Sequence, residues 1–470
     1  MRLRCGVASA ALLAAVGFAA PARAQYVDWR TTMTLTGAYT RILSDGQLPT
    51  ALTYAGPSIS FSPGLVGLFD TPRTENSLTY GLSLTLPFNE QLSVQQSALT
   101  YANRLTYAGH YALSEIASMT FSVGVTQAPL FSLVPSQDST SASIQPVPAG
   151  LANMITTTAS EGFLRQVSGT TSFSQGGSFA FGDPIDPGAI RARTFSASNS
   201  FGLTRTFSAN TVGLTLNDQI NYFTASQGDA VNGVLPALTP SGSIYVNTLA
   251  LNWWHQFSER LSGVLIAGAT QTLSPGTTTM MEVQPTGSLT LNYEFNIASA
   301  ALSAAHVAQT NLATATVSFN DTAALRFSLP IGVTGLVSSG AVGYTHGVPI
   351  PSAATPLIGG LVGPSSVFVG DAALAYTPRP VPTLTVGVRG LLTRQVLTES
   401  VANNFTSYSV ALNLTYSYPS ATAALMRPSF SPLYSAQPPS PSDVISTERY
   451  FSAGVSGPAP AEPLPLPKGP

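Results

Sequence analysis

Five charged residues, Arg104, Glu294, Arg326, Asp371 and Arg389, sit in stretches that otherwise alternate between apolar and small polar side chains. Each falls on the polar side of its stretch. Charges on the watery face of a membrane wall bias which ions and solutes pass, so the pattern is that of a charged pore lining. The same set admits a second reading, in which arginine and acid pair inside a filled interior. Either way the polar side is expected to face inward, because a basic side chain turned to lipid at mid-membrane costs about 2–4 kcal/mol.

Other chemistry is thin. The chain has no His-Glu-x-x-His, no glycine loop that cradles phosphate and no paired metal-ligand spacing. Gly176-Gly177-Ser178-Phe179-Ala180 is a partial match to a nucleophile elbow and lacks its second glycine. His110, His255, His306 and His346 lie far apart and read as rim or lumen positions. Neither an enzyme nor a cofactor is expected. The rival is a barrel hydrolase with Ser, His and Asp on its outer rim.

The elements that must hold these charges are β-strands. Ser407 to Tyr418 places Tyr408, Val410, Leu412, Leu414, Tyr416 and Tyr418 on one face, and Ser, Ala, Asn and Thr on the other. A period of two marks a strand, since successive side chains point to opposite faces. Rings at both ends with aliphatics between them fit a strand whose outside meets lipid and whose tips meet the interfaces. Ser77 to Phe88, Ala98 to Leu113, Tyr245 to Phe257, Ser288 to Phe295, Val317 to Leu329, Phe368 to Tyr376 and Leu384 to Leu392 repeat the pattern.

Short polar breaks at Tyr111–Ser118, Thr206–Asn210 and His255–Ser262 read as tight periplasmic turns. Phe88–Ser93 reads as a turn or an outer loop. Leu130–Ser160, Gly176–Ile190, Ala225–Ser241 and Pro349–Ser365 read as long outer loops. The strand count comes to 16 or 18, the difference being a hairpin between Phe163 and Phe181. Asp218 falls on the apolar side of Thr211–Phe223, so either the strand leaves the bilayer there or a bulge flips its register.

Composition agrees with a wall of this kind. Of 470 residues, 9% are Asp, Glu, Lys or Arg, against roughly 25% in ordinary soluble domains. The formal net charge is −2 and no basic patch occurs, which argues against nucleic-acid binding. Residues 1–24 have a basic start, an apolar run and Ala22-Arg23-Ala24, the layout of a secretory signal peptide. Cys5 lies upstream of that run, so the mature chain is expected to be free of cysteine. Residues 421–470 are crowded with proline, which removes ladder donors, and read as a periplasmic tail of polyproline II character.

From Gln25 to Ser420 the chain resembles outer-membrane porin-like β-barrels, through its signal, its alternating runs, its Leu-Ser-Glu and Phe-Ser-Glu-Arg turns and its final aromatic strand. The resemblance implies an antiparallel up-and-down transmembrane β-barrel in the outer membrane of a Gram-negative bacterium. It implies passive passage of small hydrophilic solutes, with outer-membrane lipid and the barrel assembly machinery as partners. The alternative is an export conduit for a polysaccharide or other polymer, with the tail docking a periplasmic partner. Members of this class often end on an aromatic residue. Here Tyr416 and Tyr418 match in kind but are followed by the tail.

Overall fold

A strand in lipid satisfies its backbone only when both of its edges are paired, so a membrane sheet has to close on itself. The computed structural model describes residues 26–418, except 45–54, 72, 89–99, 130–152, 185–190, 227–241, 276–279, 296–297, 312–315, 332–334, 351–363 and 398–403. The described residues form one sheet of 18 strands and no helix. In chain order they are β1 (Tyr26–Ser44), β2 (Ala55–Thr71), β3 (Thr74–Pro87), β4 (Thr100–Ser114), β5 (Ala117–Pro129) and β6 (Asn153–Gln166). Then come β7 (Thr171–Pro184), β8 (Arg191–Phe207), β9 (Asn210–Ser226), β10 (Gly242–Gln256), β11 (Leu261–Ser274) and β12 (Met280–Glu294). The last six are β13 (Ser299–Asn311), β14 (Thr316–Pro330), β15 (Leu336–Pro349), β16 (Ser365–Tyr376), β17 (Leu384–Leu397) and β18 (Phe405–Tyr418).

Each strand pairs antiparallel with its neighbour in sequence, and β18 pairs with β1 from Thr31↔Tyr418 to Ser44↔Phe405. The strand that carries Tyr416 and Tyr418 therefore closes the barrel. The connections fall into two sets by the end of the sheet they join. Those after β2, β4, β6 and the other even-numbered strands are short, the longest being residues 377–383. The strand ends flanking the long ones, such as 130–152 and 227–241, are at the opposite end of the sheet. Both ends of the described chain emerge at the turn end. In the β8–β9 turn Ser208 takes a left-handed conformation at φ 48°, which a hairpin this tight requires.

Register makes the wall two-sided. Met33, Leu35, Tyr39, Leu214, Leu249, Val410 and Leu412 point outward and are exposed. The opposite face carries cross-strand hydroxyl pairs, including Ser122–Ser160 and Ser178–Ser198, both at 2.7 Å, and Thr34–Thr415 at 3.1 Å. Rings gather at both margins of the outward face. Tyr39, Tyr222, Tyr245, Tyr344 and Tyr408 stand toward the loop end, and Trp29, Trp253, Tyr376, Tyr416 and Tyr418 toward the turn end. These are the positions of interfacial anchors.

Three expectations change. The hairpin between Phe163 and Phe181 is present, its turn closed by the Val167 and Ser168 amides donating to Thr171 O, which fixes the count at 18 rather than 16. Residues 153–160 and 176–184, read as loop, belong to β6 and β7. Their Ser, Thr and Gly content blurs the two-residue period, yet their backbones pair in full. No bulge rescues Asp218: β8–β9 pairing runs from Arg191↔Ser226 to Phe207↔Asn210 without a shift, and Asp218 stays outward. The signal and the proline-rich tail lie outside the described residues.

Candidate functional site

The lumen is the concave surface of this molecule, and its lining follows from strand parity. All five charged residues singled out above stand on the inner face: Arg104 on β4, Glu294 on β12, Arg326 on β14, Asp371 on β16 and Arg389 on β17. They do not form one cluster. Glu294 and Arg326 are exposed near the turn end. Arg104 is half-buried toward the loop end, where its Nε–H donates to Thr106 Oγ1 at 3.3 Å. Between β4 and β17 lie β18, β1, β2 and β3.

Asp371 and Arg389 do come together. Arg389 Nε donates to Asp371 Oδ1 at 2.7 Å and Nη2 to Oδ2 at 3.1 Å. The two side chains retain 7% and 9% of their surface. A planar guanidinium matches a carboxylate in this two-pronged way, and each charge compensates the burial of the other. Here the filled-interior reading describes the arrangement. Near the turn end the lumen is wetter. Arg30, ion-paired to Asp28 at 3.0 Å, has a half-exposed side chain, and Glu75 and His110 are exposed.

The outer half of the lumen is different, for a reason no local sequence pattern announces. β12–β13 pairing covers only Gly287↔His306 to Glu294↔Ser299, although β12 starts at Met280 and β13 runs to Asn311. Beyond that level the two strands part among the described residues. The loop end of the β13–β14 hairpin turns into the barrel, and the face that would continue the outside of the wall lies on the inner face of β9 and β10. Gln219 of β9 donates to Thr310 Oγ1 at 2.9 Å, and Thr310 donates to Asn221 Oδ1 at 2.8 Å. Val317 and Phe319 of the hairpin join Phe223, Ile244, Val246 and Ile350 in a buried apolar cluster. Phe319, expected to meet lipid, is 4% exposed because of this fold-in.

Inner-face side chains around the rest of the loop end are buried as well, among them Thr40, Ser60, Thr194, Thr345 and Gln395. The lining is thus exposed in places toward the turn end and largely buried toward the loop end. Gln219, Asn221 and Thr310 were not legible as a group. They are ordinary polar residues of alternating runs, and Thr310 lies 91 positions from Gln219 and 89 from Asn221.

The histidines serve the wall. His110 faces the lumen. His255 lies in an outward aromatic group with Trp253 and Phe257, and its Nδ1 is 2.8 Å from Asn210 Oδ1. His306 Nδ1 is 2.6 Å from Asp321 Oδ1, and His346 Nδ1 is 2.9 Å from Ser366 Oγ. Ser178 sits in mid-strand and bonds Ser198, without the strand–turn–helix setting of a nucleophile. Among the described residues no three His, Cys, Asp or Glu side chains gather as a metal site.

No protein-family model matches the sequence, and no curated protein matches it at a significant level. Several solved structures align with this chain. OccK2 (OpdF) of Pseudomonas aeruginosa aligns at 12% identity over 83% of this chain and 98% of its own, with a TM-score of 0.44. A BenF-like porin from Pseudomonas fluorescens Pf-5 aligns at 14% identity over 83% and 99%, with a TM-score of 0.43. The FrpB iron transporter of Neisseria meningitidis aligns at 8% identity over 83% of each chain, with a TM-score of 0.46. At these identities and scores the likeness says nothing of substrate, and the barrel rests on this chain's own strand pairing.

Proposed function

We propose that this protein is an outer-membrane channel for passive passage of small hydrophilic solutes. One observation carries the reading: a sheet of 18 strands closed without an edge at its turn end, apolar outward and hydroxyl-rich inward. Only a helix or a closed barrel satisfies its backbone in lipid, and barrels of 16–18 strands enclose an aqueous interior. Glu294 and Arg326 stand on the exposed part of the lining and bias the charge of what enters. The folded-in β13–β14 hairpin forms the constriction.

Conductance of the purified protein in a planar bilayer tests this. Stepwise currents are expected, with Arg326→Glu moving ion preference toward cations. An intact barrel that inserts and carries no current would overturn the channel. Unchanged preference in the variant would remove Arg326 from the lining.

A further inference from the structure

The outward face of β6–β11 carries a row of six positions, five of them polar and the sixth Gly177, where lipid contact calls for apolar side chains. Direct cross-strand pairing runs Glu161–Gly177–Asn199–Asp218–Asn247–Gln271, one residue from each strand in turn. The row lies inside the apolar band. On β9, Leu214 and Leu216 flank Asp218 on the turn side and Ile220 and Tyr222 on the loop side, all facing the same way. Ionisable residues at such depth are rare, and where they occur they face protein or water rather than hydrocarbon.

Several other outward polar groups of this wall have partners. Asn76 is 6% exposed, donates to Phe69 O and accepts from Tyr107 Oη at 2.8 Å. Asp183 pairs with Arg193, and His346 with Ser366. Glu161, Asn199 and Asp218 are exposed. Among the described residues none of the three side chains has a hydrogen-bond or ion-pair partner. Asn199 and Asp218 are direct cross-strand neighbours and still leave each other unbonded.

We propose that a second copy of this chain docks on this face, about a two-fold axis parallel to the barrel axis and passing between β8 and β9. Such an axis preserves height and exchanges left with right. The Asn199 carboxamide of one protomer then faces the Asp218 carboxylate of its partner, and the contact occurs twice. The centre of the row suits a copy of itself because it holds both a donor, the Asn199 amide, and an acceptor, the Asp218 carboxylate, one on each side of the axis. Leu214 and Leu216 on one side and Ile220 on the other add apolar contact. The inference rests on the membrane reading above, and the experiment separates the two.

Full-length protein is reconstituted in liposomes at a few copies per vesicle. Two otherwise wild-type variants, Ala197→Cys and Ile220→Cys, carry different tags and are mixed. These positions are cross-strand partners one step toward the loop end from the polar row, so the two-fold contact juxtaposes them between protomers. Oxidation is expected to join the tags at least tenfold more often than in a mixture using Leu35→Cys, which lies on the distant β1 wall. Asp218→Leu, whose barrel should still fold, is expected to abolish the cross-link and halve the particle mass. Inserted barrels that stay monomeric, cross-link no more than the control, keep their mass in Asp218→Leu or pair with a different protein would overturn the proposal. Failure to insert at all would instead overturn the membrane reading.

Discussion

Gln219 on β9 donates its side-chain amide to Thr310 Oγ1 on β13 at 2.9 Å, although β10, β11 and β12 lie between those strands in the wall. The bond spans the lumen side of the sheet and holds the loop-end part of a hairpin that has parted from β12 while staying paired to β15. What the wall loses in β12–β13 pairing is offset by apolar burial of Val317 and Phe319 inside.

If that hairpin is the constriction, loosening its dock should widen the path. Phe319→Ala removes the largest hairpin side chain of the cluster, and with Val317→Ala it strips most of the apolar contact. Single-channel conductance is expected to rise severalfold in the double variant, with the barrel still migrating as a folded species on an unheated gel. Currents equal to those of the wild type would place the resistance elsewhere.

Asp371 and Arg389 make a stability prediction. Asp371→Leu takes the carboxylate from Arg389, whose side chain is 7% exposed, and breaking a buried pair from one side costs about 3–5 kcal/mol. Urea unfolding in lipid should show a loss of that order. Most of it should return in the double variant Asp371→Leu, Arg389→Met, which removes both charges. A small loss in the single variant would mean that water reaches the site.

Tyr107 covers Asn76 on the outer wall. Its hydroxyl is 2.8 Å from Asn76 Oδ1 and 2.8 Å from the Tyr111 hydroxyl. Tyr107→Phe keeps the ring and removes the donor, leaving a buried amide oxygen unsatisfied at a cost of about 1–3 kcal/mol. Unfolding should report that loss while conductance stays at the wild-type value, because the pair faces away from the lumen.

Gly268 sits where no side chain fits. A Cβ there would meet the Leu249 carbonyl oxygen and the Ala250 Cα, both backbone atoms of the neighbouring strand. Gly268→Val should therefore lower the yield of folded barrel, read as the heat-modifiable fraction after refolding into detergent. Gly390→Val is the control, since a Cβ at Gly390 meets nothing within 4 Å.

Alternation along the chain is enough to specify the wall. Side chains of a strand alternate strictly, so a run such as Ser407–Tyr418 reveals which residues meet lipid and which meet the interior before any contact is known. Asp371 and Arg389 were legible as inward residues by the same rule. The tertiary structure decided what parity cannot encode. Strand alternation gives a side of the sheet but not its curvature, and curvature turned Phe319 from a lipid-facing ring into a buried one. It also brought Thr310 to Gln219 and Asn221. Register across the ring is equally non-local. Asp218 looked like a lone misplaced charge in one strand and became part of a row only once β6 to β11 were aligned, because cross-strand neighbours are set by pairing between segments and not by distance along the chain.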